Sequence, residues 1–298
     1  MMLSDGDLPP LYQAADKSST EAESHFLWAT RFRLFGLIGA ALFGLFTWKY
    51  GSSPVDWSGV FAASCFVIAL VVEGFLYRAR PERTWYEGRA AAESVKTLSW
   101  RYAVGGEPFN VGVDDETHVA DLFLARLKSL FDVIKDLDLA APTSSEEQIT
   151  PCMRDVRALA LAERKDIYRQ GRVGEQQKWY RAKASWNRRY ASRWTWAMLA
   201  IEILGVMFGI LKAIGVIEGD LLTVSGVILA TATAWMQTKQ YRTLATAYTV
   251  TALELASVRS KIANQYSEAE WAKFVNDAEE AFSREHTLWK ASRGVQST

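Results

Sequence analysis

The sequence predicts an all-α membrane protein with four transmembrane helices, arranged as two tandem hairpins with cytosolic amphipathic, coiled-coil-like helices attached. Three observations predict it. Four apolar runs are long and charge-poor enough to enter a hydrocarbon core of about 30 Å. Aromatic residues bracket those runs, and lysine and arginine are massed on one side of them. Whole-chain averages conceal the pattern: 49% hydrophobic residues and a mean hydropathy of -0.05 suit a soluble protein, because charged sequence dilutes the spans. Thirty-four basic residues balance 34 acidic ones, so charge gives no reason to expect a nucleic-acid partner.

In chain order, residues 1–24 are acidic and polar, with no basic segment leading into an apolar core. They read as a flexible tail and not as a signal peptide. The first two-span domain is expected over 25–140. Its first span runs from about 32 to 50, around the uncharged LFGLIGAALFGLFTW of Leu34–Trp48. A turn signal at Gly51-Ser52-Ser53-Pro54 precedes a returning span over about 57–77, apolar except for Ser58, Ser64 and Glu73. After a polar, turn-rich linker at 141–151, a second domain is expected over 152–298. Its spans lie at about 194–214, with Glu202 as an internal charge, and at about 221–238, with none.

Trp48, Tyr50, Trp57 and Tyr77 bracket the first pair of runs, and Trp194, Trp196 and Trp235 the second. Amphipathic rings favour the headgroup level, which a buried core helix gives no reason to seek. Fifteen basic residues flank the spans at the termini and centre: Arg31, Arg33, Arg78, Arg80, Arg83, Arg89, Lys96, Lys178, Arg181, Lys183, Arg188, Arg189, Arg193, Lys239 and Arg242. The two tips hold only Lys49 and Lys212. The positive-inside rule therefore puts both termini and the centre in the cytosol. A shift of 161 residues lays Leu34 on Thr195, Val60 on Leu221 and Glu93 on Glu254, an architectural repeat with few identities.

Outside the spans, Val119, Leu122, Phe123, Leu127, Leu130, Phe131, Ile134 and Leu137 repeat at helical spacing. Tyr241, Leu244, Tyr248, Thr251, Leu255, Val258 and Ile262 alternate three and four apart, a seam toward a neighbour in the same chain or in another copy. Ser267 and Glu270 form a capping box opening a last helix striped by Trp271, Phe274, Ala278, Phe282 and Trp289. Small residues four apart allow helices to approach closely in lipid: Gly36, Ala40 and Gly44, then Gly205 and Gly209, then Gly226, Ala230 and Ala234.

Glu202 is the foremost pore or gating candidate, because a mid-span acid costs roughly 2.5–3.5 kcal/mol unless it meets water or a partner. The alternatives are a protonated acid hydrogen-bonded between helices, or a third span that begins further along. Ser225, Thr231 and Thr233 are further polar candidates. Glu73 is the last of the pore or gating candidates, and near the cytosolic end of its span it is expected rather to snorkel or to pair with Arg78 or Arg80. No catalytic, cofactor or metal site is expected. His25, His118 and His286 are far apart, Cys65 and Cys152 have no ligand spacing, and Gly105-Gly106 reads as a helix terminator and turn.

Three stretches carry a family resemblance: RPERTWYEGRAAAESVKTLSWRYAVGGEPF at 80–109, WMQTKQYRTLATAYTVTALELASVRSKI at 235–262, and SEAEWAKFVNDAEEAFSREHTLWKA at 267–291. They resemble the SLATT domains, two-transmembrane effector domains associated with SMODS nucleotidyltransferases and SLOG sensors of bacterial conflict systems. The resemblance implies a homo-oligomer in the bacterial inner membrane that forms or opens a pore in anti-phage defence, killing or arresting the cell. It also implies a nucleotide-signal sensor or nucleotidyltransferase partner. The alternative is a non-conducting membrane scaffold or sensor subunit that recruits cytosolic partners through its helices.

Overall fold

A computed structural model describes residues 3–52, 54–113, 115–134 and 147–292. Among them the regular elements are helical: α1 (Pro10–Phe43), α2 (Trp57–Ala79), α3 (Pro81–Val104), α4 (Glu116–Ile134), α5 (Pro151–Arg157) and α6 (Leu161–Ile167). A π-helical segment, Tyr168–Gly174, leads into α7 (Glu175–Ala213), then α8 (Leu221–Lys239), α9 (Tyr241–Lys261) and α10 (Glu268–Ser292). Four stretches, within α1, α2, α7 and α8, are long and apolar enough to cross a membrane.

The chain divides into two compact units that do not follow its tandem halves. The spanning unit comprises Ser24–Pro81 and Ala184–Thr246; the extramembrane unit comprises Met1–Glu23, Glu82–Lys183 and Ala247–Thr298. Each draws on both halves of the sequence.

In the spanning unit, each hairpin ends in a matched pair of caps. The Asp56 carboxylate accepts from the Ser58 amide at the start of α2, and Asp220 is the N-cap of α8. Hydrogen bonds from Ser58 and from the Trp48 amide hold the Asp56 carboxyl below the usual range. At the far ends, Arg80 and Gln240 adopt left-handed φ of 44° and 48°, ending α2 and α8 one residue before the next helix begins. The N-caps are 164 residues apart and the C-caps 160, so no single shift of 161 relates the hairpins. The returning helix has 23 residues in the first hairpin and 19 in the second, about one turn fewer.

The first span ends sooner than the hydropathy run. Helix α1 stops at Phe43, and the Gly44–Tyr50 stretch expected inside the span is turn and extended chain. Its backbone is tied by the Lys49–Asp56 bridge and a 2.8 Å bond from the Trp57 amide to the Trp48 carbonyl. The expected flexible tail is also absent, since α1 begins at Pro10 and Leu3, Leu8, Leu11, Tyr12 and Ala15 are buried in the extramembrane core. Lys96 pairs there with Asp5. These few apolar residues, dispersed among acids, outweigh the polar average of the segment because each meets a prepared apolar face.

The extramembrane core joins that N-terminal segment to Val95 and Trp100 of α3, Phe123 of α4, Met153 of α5 and Trp271 and Val275 of α10. On α4, Val119, Phe123 and Leu127 are buried, Leu122 and Leu130 partly so, and Phe131 is exposed; the Ile134 side chain and Leu137 lie outside the described residues. So do 141–146 of the expected linker, and the side chains of His286 and Trp289. Thr150 caps α5, its hydroxyl accepting from the Met153 amide at 3.3 Å.

Candidate functional site

Small residues set the approach of helices within each hairpin. A Cβ on Gly36 would lie 3.1 Å from the Cys65 carbonyl oxygen and 3.6 Å from Ala69 Cβ, and Ala40 is buried. Gly36→Val is therefore expected to cost about 1–3 kcal/mol by forcing α1 from α2, read as a lower melting temperature in detergent. Gly205 and Gly209 face α8 less tightly: a Cβ there would be in ordinary contact with side chains, 3.5 Å from Ser225 Cβ and 3.6 Å from Leu222 Cδ2. Gly44 does not pack on a second helix: a Cβ there would meet only the carbonyls of Ala40 and Ala41. Gly226 faces open space and Ala230 is exposed, while Ala234 is half-buried.

The polar candidates separate. Ser225, Thr231 and Thr233 donate to the carbonyls of Leu221, Val227 and Leu229 four residues back, at 2.9, 2.7 and 2.9 Å. Ser225 and Thr231 are buried in the unit. Glu73 pairs with Arg33 on α1, not with Arg78 or Arg80 as expected, because the antiparallel hairpin brings Arg33 beside it whereas Arg80 has already left the helix. Glu202 behaves differently. It is exposed on α7 among exposed Leu199, Ile203, Val206 and Ile210, and among the described residues it has no hydrogen-bond or ion-pair partner.

Aromatic rings and cations close the basic end of the spanning unit. The Arg31 guanidinium lies 5.2 Å from the Trp28 ring and 5.1 Å from the Trp235 ring, joining α1 to α8. Tyr241 packs on Trp186 and Tyr190 of α7, and within the extramembrane unit Tyr248 packs on Trp179 and Tyr180. Leu255 and Ile262 enter the core, Val258 packs partly against it and Leu244 is half-buried. Within the chain, Tyr241 and Tyr248 of the α9 seam thus meet aromatic side chains of α7, and Leu255 and Ile262 meet the core.

The largest polar construction was not foreseen from sequence. Helix α3 ends at buried Val104, where the last carbonyls of a helix lack internal partners. Gly105, at φ 75°, turns the chain, and the Gly106 amide donates to the Arg101 carbonyl at 2.7 Å. Arg157 donates to the Tyr102 and Phe109 carbonyls at 3.0 and 2.8 Å. Arg164 and Trp271 Nε1 both donate to the Val104 carbonyl, at 2.9 and 2.8 Å. Cations are favourable at this end of a helix dipole, so the two arginines satisfy charge and hydrogen bonds together. Each also reaches a carboxylate, Glu116 for Arg157 and Glu268 for Arg164.

Deeper in the same unit, Arg172 and Glu279 form an ion pair at 2.8 Å with side chains 2% and 0% exposed. Glu279 also accepts from Tyr168 at 2.9 Å and Thr97 at 3.0 Å. The Arg172 guanidinium stacks 4.7 Å from the Phe282 ring. Burial and then the Glu279 charge push the Tyr168 phenol far above its ordinary range. Burial opposes the charge of Arg172, but Glu279 overrides it and holds the guanidinium more firmly protonated than usual. Tyr168 and Arg172 lie on the π-helical segment, whose wider turn keeps residues four apart on one face. Nothing in the sequence distinguishes Arg157, Arg164 and Arg172 from neighbours such as exposed Arg154 and half-buried Arg169; only the assembled α3 terminus and α10 do so.

The family profile described as "SMODS and SLOG-associating 2TM effector domain 3" matches residues 9–165, more than half the chain. The chain belongs to the SLATT family. A second profile, "SMODS and SLOG-associating 2TM effector domain 1", matches residues 168–289, so two SLATT domains stand in tandem. No curated protein and no solved structure matches the chain. The SLATT boundary falls between Lys165 and Tyr168, at the entry to the π-helical segment, which places Arg157 and Arg164 in the first domain and Arg172 in the second. The chain is a multi-pass membrane protein of four spans, two from each SLATT domain. Among the described residues, no three His, Cys, Asp or Glu side chains gather as a metal site.

Proposed function

We propose that the protein is a bacterial inner-membrane effector that assembles with further copies of itself and opens a pore between them in anti-phage defence, with both termini cytosolic. One observation carries the reading: Glu202 stands in the third span on the outer surface of the spanning unit, without a partner among the described residues. A lipid-facing acid there costs roughly 2.5–3.5 kcal/mol, and a water-filled path between copies removes that cost. Among the described residues, the interior of one unit is mostly apolar. Its buried positions include Ala40, Ala69, Val224 and Ala232, and the hydroxyls of Ser225 and Thr231 are bonded to their own helix. The fifteen basic flanking residues support cytosolic termini. The family description supports a nucleotide-signal partner of the SMODS or SLOG kind as the source of the trigger.

The test is dye release from liposomes that contain the purified protein, comparing wild type with Glu202→Gln. Release should require the protein, and the neutral variant should change its rate about tenfold, because the charge that wets the path is gone. Protein that inserts and cross-links as an oligomer, yet stays tight as wild type and variant with its nucleotide-signal partner present, would favour the scaffold reading.

A further inference from the structure

The basic end of the spanning unit carries Arg31, Arg33, Arg78, Arg80, Arg188, Arg189, Arg193, Lys239 and Arg242, with Glu73 and, two residues past Arg80, Glu82 as the nearest carboxylates in sequence; Glu82 accepts from the Tyr86 hydroxyl at 3.0 Å. Glu73 is taken by Arg33. Arg31 is held between two tryptophans. The remaining cations differ in how they are held. Arg78, Arg80 and Arg188 are exposed, with no partner among the described residues. Arg193, also exposed, stacks 5.5 Å from the Tyr190 ring, which in turn stacks on Tyr241. The neighbouring exposed Arg242 donates to Thr195 Oγ1 at 2.9 Å, which fixes it against α7. Arg189 lies one turn before Arg193 on the same face, and Trp196, 68% exposed, continues that face into the span.

We propose that Arg189, Arg193 and Arg242, with Trp196 beneath them, bind the phosphate headgroup of an anionic phospholipid. The three guanidinium groups have no ion-pair partner among the described residues, and two are held in place by neutral side chains that leave their charge unspent. An exposed tryptophan at the end of a span marks the headgroup level, where a lipid phosphate lies within reach of arginine. Arginine presents a planar fork of donors suited to phosphate oxygens, so orientation adds to charge. The site lies in the second SLATT domain. The matching end of the first hairpin, at Arg78 and Arg80, has cations with no aromatic or hydroxyl side chain recorded against them.

The inference rests on membrane insertion alone and does not require conduction. The measurement is native mass spectrometry of protein released from bilayers of equal phosphatidylglycerol and phosphatidylcholine, counting retained lipids of each kind. Bidentate, charge-assisted hydrogen bonds from arginine to a phosphate add a geometric preference to the attraction that any cation has for an anionic surface. Arg189→Gln/Arg193→Gln/Arg242→Gln should therefore lower the retained ratio of anionic to zwitterionic lipid by about tenfold or more. The charge-matched Arg78→Gln/Arg80→Gln/Arg188→Gln should leave most of it. An equal fall in both variants would reduce the effect to net charge and overturn the site, as would wild-type protein that retains the two lipids equally.

Discussion

Glu279→Ala should loosen α10 from the extramembrane unit by about 3–5 kcal/mol, since removing one partner of a buried ion pair strands the other charge. Arg172 would keep a guanidinium that is 2% exposed and has lost its carboxylate, and Tyr168 and Thr97 would lose their acceptor. Hydrogen exchange in detergent micelles reads this directly. Amides of α10 around Val275 should exchange by two to three orders of magnitude faster, while those of α8 stay unchanged. Replacing both partners, as Arg172→Leu/Glu279→Leu, should restore much of the protection, because an apolar pair carries no desolvation cost. If exchange in α10 does not respond to Glu279→Ala, the ion pair is not what fastens the helix.

The second large effect is expected at Trp271. Its side chain is fully buried, packs 5.7 Å from the Tyr168 ring and 5.5 Å from the Phe274 ring, and donates to the Val104 carbonyl. Trp271→Ala should cost about 3–5 kcal/mol through the cavity it leaves. Trp271→Phe should cost nearer 1 kcal/mol, because Arg164 still donates to the same carbonyl and only one of two hydrogen bonds is lost. Thermal melting followed by protease susceptibility of the α9–α10 junction would rank the two variants. Equal damage from both would mean that the indole hydrogen bond, and not ring volume, is the principal contribution.

These positions show which parts of the architecture were legible in the chain. Four charge-poor apolar runs announce the spans because lipid admits few alternatives to a helix whose backbone bonds are internal. Ser267 and Glu270 announce the start of α10 by a local exchange of hydrogen bonds, and the structure contains it: the Ser267 amide donates to Glu270 at 2.8 Å. Gly105-Gly106 announces the end of α3 for an equally local reason. A Cβ at Gly106 would lie 2.5 Å from Val275 Cγ1, however, which shows that this glycine also answers to a residue of α10 that is 169 positions away. Non-local demands of that kind were not legible. Leu8 and Tyr12 read as parts of a polar tail until Val95 and Trp100 are assembled to receive them. Arg157, Arg164 and Arg172 read as solvated charges until carbonyls and carboxylates converge on them. Among the candidates for the pore, Glu202 was legible as an anomaly of composition, whereas the inward turn of Ser225 and Thr231 depends on helix rotation, which hydropathy does not fix.

The unequal returning helices bring bilayer thickness into the behaviour of this protein. At 1.5 Å per residue, the 23 residues of α2 reach about 34 Å and the 19 of α8 about 28 Å, on either side of a hydrocarbon layer of about 30 Å. One flat sheet of lipid suits both only if the two helices tilt by different amounts. A thick bilayer relieves α2 of tilt and draws the ends of α8 into the acyl region, while a thin one does the reverse, and each mismatch costs a fraction of a kcal/mol per Å. Two SLATT domains fused in one chain therefore meet a change of bilayer thickness with opposite needs for tilt.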